Sequence, residues 1–153
     1  MTKQPIERSA TMTRQVVETL YSETLVLADE ARAVFAREEG GDPSDAAYMA
    51  HSLEGMKTTT RIMHMLAWLL NQRAFFANEL SAKQVMLYGA LAKNRQTDLD
   101  DYAMLSADAQ DVVRASETLY TRIARLDEQQ RGEADTANPA HSLQNRVLDA
   151  FAA

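Results

Sequence analysis

Cysteine is absent from all 153 residues, which excludes disulfides, thiolate metal sites and a cysteine nucleophile, and suits a reducing compartment. Glycine and proline are scarce, at 5 and 3 residues, so the chain has few helix breaks and little material for tight turns. Long hydrophobic runs are missing too. The most apolar stretch, Ile62 to Leu70, is interrupted by His64 and falls far short of the roughly 20 residues a membrane span needs. The opening Met1-Thr2-Lys3-Gln4-Pro5 has no apolar segment of signal-peptide length, so a cytoplasmic protein is expected. Positive charge is in deficit: 16 Lys and Arg against 22 Asp and Glu give a net charge of -6, with a pI near 5.0. That balance argues against nucleic acid or anionic membrane as partner. No P-loop, Gly-x-Gly-x-x-Gly, Gly-x-Ser-x-Gly or His-Glu-x-x-His occurs, so a non-enzymatic chain without cofactor or metal is expected.

What the chain does contain is helix-forming residues, chiefly Ala, Leu, Met, Glu, Gln and Arg. Val16, Leu20, Thr24, Leu27, Ala31 and Val34 step by threes and fours, as one helix face requires, with Ser9 or Thr11 as cap and Gly40-Gly41 as stop. A second helix, capped by Ser44 or Asp45, runs to about Phe76 with Gly55 as its weak point. Ser81-Ala82-Lys83-Gln84 has the form of a capping box for a short helix, and the polar run Asn94 to Tyr102 reads as a loop. Leu105, Ala109, Val112, Ser116, Leu119, Ile123 and Leu126 then form a nearly strict heptad seam behind a Ser106 cap. The expected fold is all-α, an antiparallel three-helix bundle with a short extra helix and a C-terminal tail. Its bundle covers residues 1–131, with helices at about 11–38, 45–77, 81–93 and 105–131. Residues 132–153 form a tail, flexible or a short helix, in which Pro139 opens a segment bearing Leu143, Val147, Leu148 and Phe151.

Apolar side chains surround the second helix from Ile62 to Leu70: Ile62, Leu66 and Leu69 point away from Met63, Ala67 and Leu70. Two neighbours in a bundle cover only part of that circumference. Ile62, Met65, Leu66, Trp68 and Leu69 are therefore expected to serve the core and a homodimer across this helix. Just before them, Glu54, Lys57, Thr58, Thr59, Thr60 and Arg61 are polar beside a core, which fits a partly solvated turn or a recognition patch. His51 and Glu54 sit three apart, but in the reverse of the order a di-metal bundle needs. His64 reads as structural. Asp98, Asp100 and Asp101 lack the glycine and closing glutamate of a calcium loop.

Glu54, Met56, Thr59-Thr60-Arg61, Met63, Trp68-Leu69-Leu70 and Gln72-Arg73-Ala74, followed by Arg125-Leu126-Asp127, resemble the pattern of the alphaproteobacterial RcdA-like family, DUF1465. The resemblance implies a dimeric three-helix bundle that acts as an adaptor, bringing regulators to the ClpXP protease in cell-cycle control, with a C-terminal tail that matters for delivery. On that reading Glu54, Lys57, Thr60, Arg61, Gln72 and Arg73 contact a response-regulator-like protein, and Leu148, Phe151, Ala152 and Ala153 face the protease. The final Ala152-Ala153 is similar to tags that ClpX-type unfoldases engage. The alternatives are a structural dimerisation module without a protease role, and a small-molecule sensor in which Tyr48, His51, His64 and Trp68 converge on a pocket.

Overall fold

The computed structural model describes residues 12–37, 41–137 and 139–151, and among these every regular element is helical. The expected Ser9 and Thr11 caps, Gly40, Ala152 and Ala153 lie outside the described residues. The elements are α1 (Arg14–Arg37), α2 (Ala46–Phe76), α3 (Ala82–Tyr88), α4 (Leu99–Ala103), α5 (Ala107–Ala137) and α6 (Pro139–Phe151).

Local chemistry accounts for most of these boundaries. Thr13 Oγ1 accepts the Val16 N–H at 3.2 Å at the start of α1. Asp45 accepts the Ala47 N–H at 3.1 Å at the start of α2, and Ser81 with Gln84 forms a complete capping box. Asn78, with φ 60°, takes the left-handed conformation just past the end of α2, which asparagine tolerates better than most residues. Inside the segment Asn94 to Tyr102, expected to be a loop, Asp98 accepts from the Asp100 and Asp101 amides and starts α4. The aspartates that suggested calcium are therefore a helix cap and its first turn. α3 ends at Tyr88, short of the expected boundary near residue 93.

One core lies among α1, α2 and α5, from Val17, Leu20 and Leu27 through Ile62, Met65, Trp68 and Leu69 to Val112, Val113 and Ile123. Each such side chain contributes about 1.5–3 kcal/mol relative to exposure. The α1 stripe contains Val17, fully buried, and leaves Val16 at the surface, one position off the expected spacing.

The expected antiparallel arrangement needs correction. α1 is antiparallel to both neighbours: Arg14 donates to the Phe76 carbonyl, Arg73 Nε donates to Glu18 Oε1, and Arg122 Nη1 donates to Glu23 Oε2. α2 and α5 run parallel, since Arg61 meets Ser116, Trp68 meets Asp127 and Gln72 meets Gln130. Parallel neighbours cannot be joined by a tight turn, so residues 77–106, with α3 and α4, carry the chain back along the roughly 46 Å of α2. Within this strap, residues 89–98 have no regular structure.

Gly55 marks where α1 and α2 approach closely: a Cβ there would lie 2.9 Å from Phe35 Cδ1, inside van der Waals contact. Gly55→Val is expected to cost about 1–3 kcal/mol by overpacking against the Phe35 ring. Urea unfolding followed by circular dichroism measures this, and unchanged stability would mean that the approach is looser than described.

Candidate functional site

The polar segment of α2 turns inward. Glu54, Thr58 and Gln72 are 0% exposed and Arg61 1%, so Glu54, Arg61 and Gln72 do not form the expected recognition surface, while Thr59 and Thr60 keep the segment partly solvated. Arg61 Nε donates to Asn94 Oδ1 at 2.8 Å, Nη1 to Ser116 Oγ at 2.7 Å, and Nη2 to the Arg95 carbonyl at 3.1 Å. Glu117 Oε1 lies 3.7 Å from Nη2 and also accepts from Thr97 Oγ1. Two turns earlier, Glu54 Oε1 accepts from Lys57 Nζ at 2.7 Å and from the Asp98 N–H at 3.3 Å.

The charges in this seam balance: Arg61 and Lys57 against Glu54 and Glu117. Burial lowers the Arg61 guanidinium below its ordinary value, while Glu117 and then Glu54 pull it back up. A buried charge without such partners would cost several kcal/mol. Further along, Trp68 Nε1 donates to Asp127 Oδ1 at 2.9 Å. Asp127 Oδ2 accepts the Leu91 N–H at 3.4 Å, and Tyr120 Oη donates to the Ala92 carbonyl at 2.6 Å. Gln72 and Gln130 exchange amide hydrogen bonds at 2.9 and 3.2 Å. Every one of these contacts but the last fastens the strap or positions a group that does. The seam is a clamp on an irregular backbone, in which Glu54 Oε2 and Thr58 Oγ1 alone among its buried polar side-chain atoms have no hydrogen-bond partner.

The remaining sequence-derived sites lie elsewhere. Lys57 is half-buried on Glu54 and Thr60 is exposed. Arg73 pairs with Glu18 and stacks over the Tyr21 ring at 4.3 Å from its centroid. Ile62, Met65, Trp68 and Leu69 belong to this chain's own core, with Leu66 half-buried at its edge. The apolar side chains left outside on α2 are Met49, Leu53, Met56, Met63 and Leu70. With Thr60 and Ala67 they repeat at steps of four and three, without one charge. Leu148 and Phe151 are exposed on α6.

His51 and Glu54 face different neighbours: His51 Nε2 lies 3.2 Å from the Phe35 carbonyl, while Glu54 faces Lys57 and the start of α4. Among the described residues no three His, Asp or Glu side chains gather as a metal set. Nor do the residues named for a sensor pocket converge. His51 and His64 are separated by about 20 Å along α2, and Trp68 is committed to Asp127.

A family described as "Protein of unknown function (DUF1465)" matches residues 8–151. No curated protein matches the chain. Among solved structures, the crystal structure of RcdA from Caulobacter crescentus CB15 is similar, with a TM-score of 0.58 and 25% identity. The match covers 76% of this chain and 92% of that one.

Two neighbouring buried polar residues should respond oppositely to substitution. Arg61→Ala leaves Glu117, Asn94 and Ser116 without their partner and is expected to cost about 3–5 kcal/mol in denaturant unfolding. Thr58 Oγ1 is buried with no hydrogen-bond partner, so the isosteric Thr58→Val is expected to be neutral or stabilising by up to about 1 kcal/mol. A destabilising Thr58→Val would show that this hydroxyl is satisfied in solution.

Proposed function

The chain belongs to the DUF1465 family, and from that premise we propose that it is a non-catalytic adaptor that binds regulatory proteins and promotes their delivery to a ClpXP-type protease. The observation that carries this reading is the outward stripe of α2. Met56 and Met63 are 69% and 63% exposed on a heptad-spaced face of a helix whose other side is core. Unbranched, polarisable methionine suits an interface that accommodates other surfaces. The likeness to RcdA supports the same reading. The polar seam fits the same reading, because Arg61, Trp68 and Asp127 spend their hydrogen bonds on holding the strap and on one another.

In this account the protein is a cytoplasmic homodimer of three-helix bundles. A second copy packs on the α2 stripe, which Met49, Leu53, Met56, Met63 and Leu70 form with the smaller Thr60 and Ala67 between them. Lys57 and Arg73 flank that seam and are offered to a regulator, Thr60 being covered by the second copy, while Leu148 and Phe151 on α6 face the protease. A purely structural dimer with an inert tail is the second reading, and the uncovered apolar side of α6 speaks against it.

Met56→Glu with Met63→Glu is expected to give a monomer in light scattering at tens of micromolar with helicity unchanged, because both side chains are exposed in the single chain. A variant that remains dimeric removes the stripe from the account. Leu148→Asp with Phe151→Asp is expected to abolish co-purification of protease components while unfolding stays unchanged. Undiminished retrieval would leave the tail inert.

A further inference from the structure

On the side of the bundle away from α2, α1 and α5 leave a trough of about 970 Å³, open along its length. It follows α1 from Gln15 to Glu30, about 22 Å or four helical turns. Its floor holds Leu27 and Leu119, and its walls are largely small side chains, among them Thr19, Ser22 and Ala115. Val26 stands in it 59% exposed. Small residues between two antiparallel helices let a third axis come close, which is how a further helix joins a bundle.

The rim is acidic, with Glu18, Glu23, Glu30 and Asp111 against Arg114 and Arg122. Glu18 is paired with Arg73 and Glu23 with Arg122, while Arg114 is drawn toward the Tyr102 hydroxyl at 2.6 Å. Glu30 and Asp111 make no ion pair among the described residues, so the trough offers a negative end beside an apolar floor. We propose that this trough is a docking site for a cationic amphipathic helix of a partner protein, with two or three large apolar side chains on one face and Lys or Arg placed to meet Glu30 and Asp111. This stands without the protease reading, which uses other surfaces.

The chain's own α6 is a poor occupant on two counts. Its described charges, Arg146 and Asp149, cancel. It is also too short to fold back into place: from Arg122 to Ala137 α5 rises about 22 Å, and α6 is about 20 Å long, so it would come level only with the near rim.

The test uses the full chain and a fluorescent peptide of about four helical turns, with leucines on one face and lysines on its flanks, read by anisotropy. Two control peptides accompany it: one of the same composition with the leucines scrambled, and one with glutamate for lysine. Binding is expected for the first and about tenfold weaker for each control. Glu30→Lys with Asp111→Lys is expected to weaken binding by about tenfold through lost charge, and Ala115→Trp by as much through steric filling of the trough at unchanged charge. Four results would overturn the proposal. Equal binding of the scrambled peptide, or of Ala115→Trp, would mean adventitious attraction to an acidic surface. A marked gain in affinity on Leu143→Asp with Phe151→Asp would make α6 the occupant. Loss of peptide binding as the chain's own concentration rises would make it a second copy.

Discussion

A guanidinium removed from water has to be surrounded by acceptors, and Arg61 is the group around which the rest of this structure is arranged. Its three donor contacts reach Asn94, Arg95 and Ser116, so one side chain of α2 joins the strap to α5. The topology depends on that link. α2 and α5 lie parallel, the chain between them has to travel back along the bundle, and residues 89–98 do so without the internal hydrogen bonds of a helix. Glu54, Asp127 and Tyr120 supply the replacements at Asp98, Leu91 and Ala92.

This division of labour separates structure from recognition. Polar residues of α2 hold the fold from inside beside its core apolar residues, and a separate apolar set on the same helix, from Met49 to Leu70, is presented outside. An ordinary amphipathic surface helix has the opposite arrangement. α2 can do both because a buried polar seam and a buried apolar core occupy different lengths of its inner face: Glu54 to Arg61 against the strap, and Ile62 to Leu69 against α1 and α5. The outward stripe then runs the length of the helix, and the trough between α1 and α5 lies on the far side. The α1, α2 and α5 bundle thus presents two apolar surfaces of different character beside that of α6, one uncharged and one rimmed with carboxylates.

Much of the fold was legible because helix signals are local. The heptad seam of α5, the Ser81–Gln84 capping box and the Asp45 cap depend on residues within one or two turns, and sequence spacing states them directly. The RcdA-like pattern likewise pointed to the family that residues 8–151 match. The clamp was not legible, because its partners are far apart in sequence. Arg61 with Asn94 and Ser116, Trp68 with Asp127, and Gln72 with Gln130 are pairings that no spacing rule connects. A signal did exist: Ser116 sits as a lone small hydroxyl in an otherwise apolar seam, and Arg61 adjoins the most apolar run of the chain. Each is an unexplained polar residue at a core position, and together they are a buried pair. Parallel α2 and α5 follow from that pairing and not from helix count, which is why the antiparallel expectation failed.

Hydrogen exchange in the strap tests the clamp most directly, because residues 89–98 lack helical hydrogen bonds and owe any protection to side chains from α2 and α5. The Leu91 and Asp98 amides, which donate to Asp127 and Glu54, are predicted to exchange as slowly as the central amides of α2. Exchange of both at the rate of an unstructured peptide would contradict the account, since the strap would then be held by connectivity alone and Arg61 would be buried for some other reason.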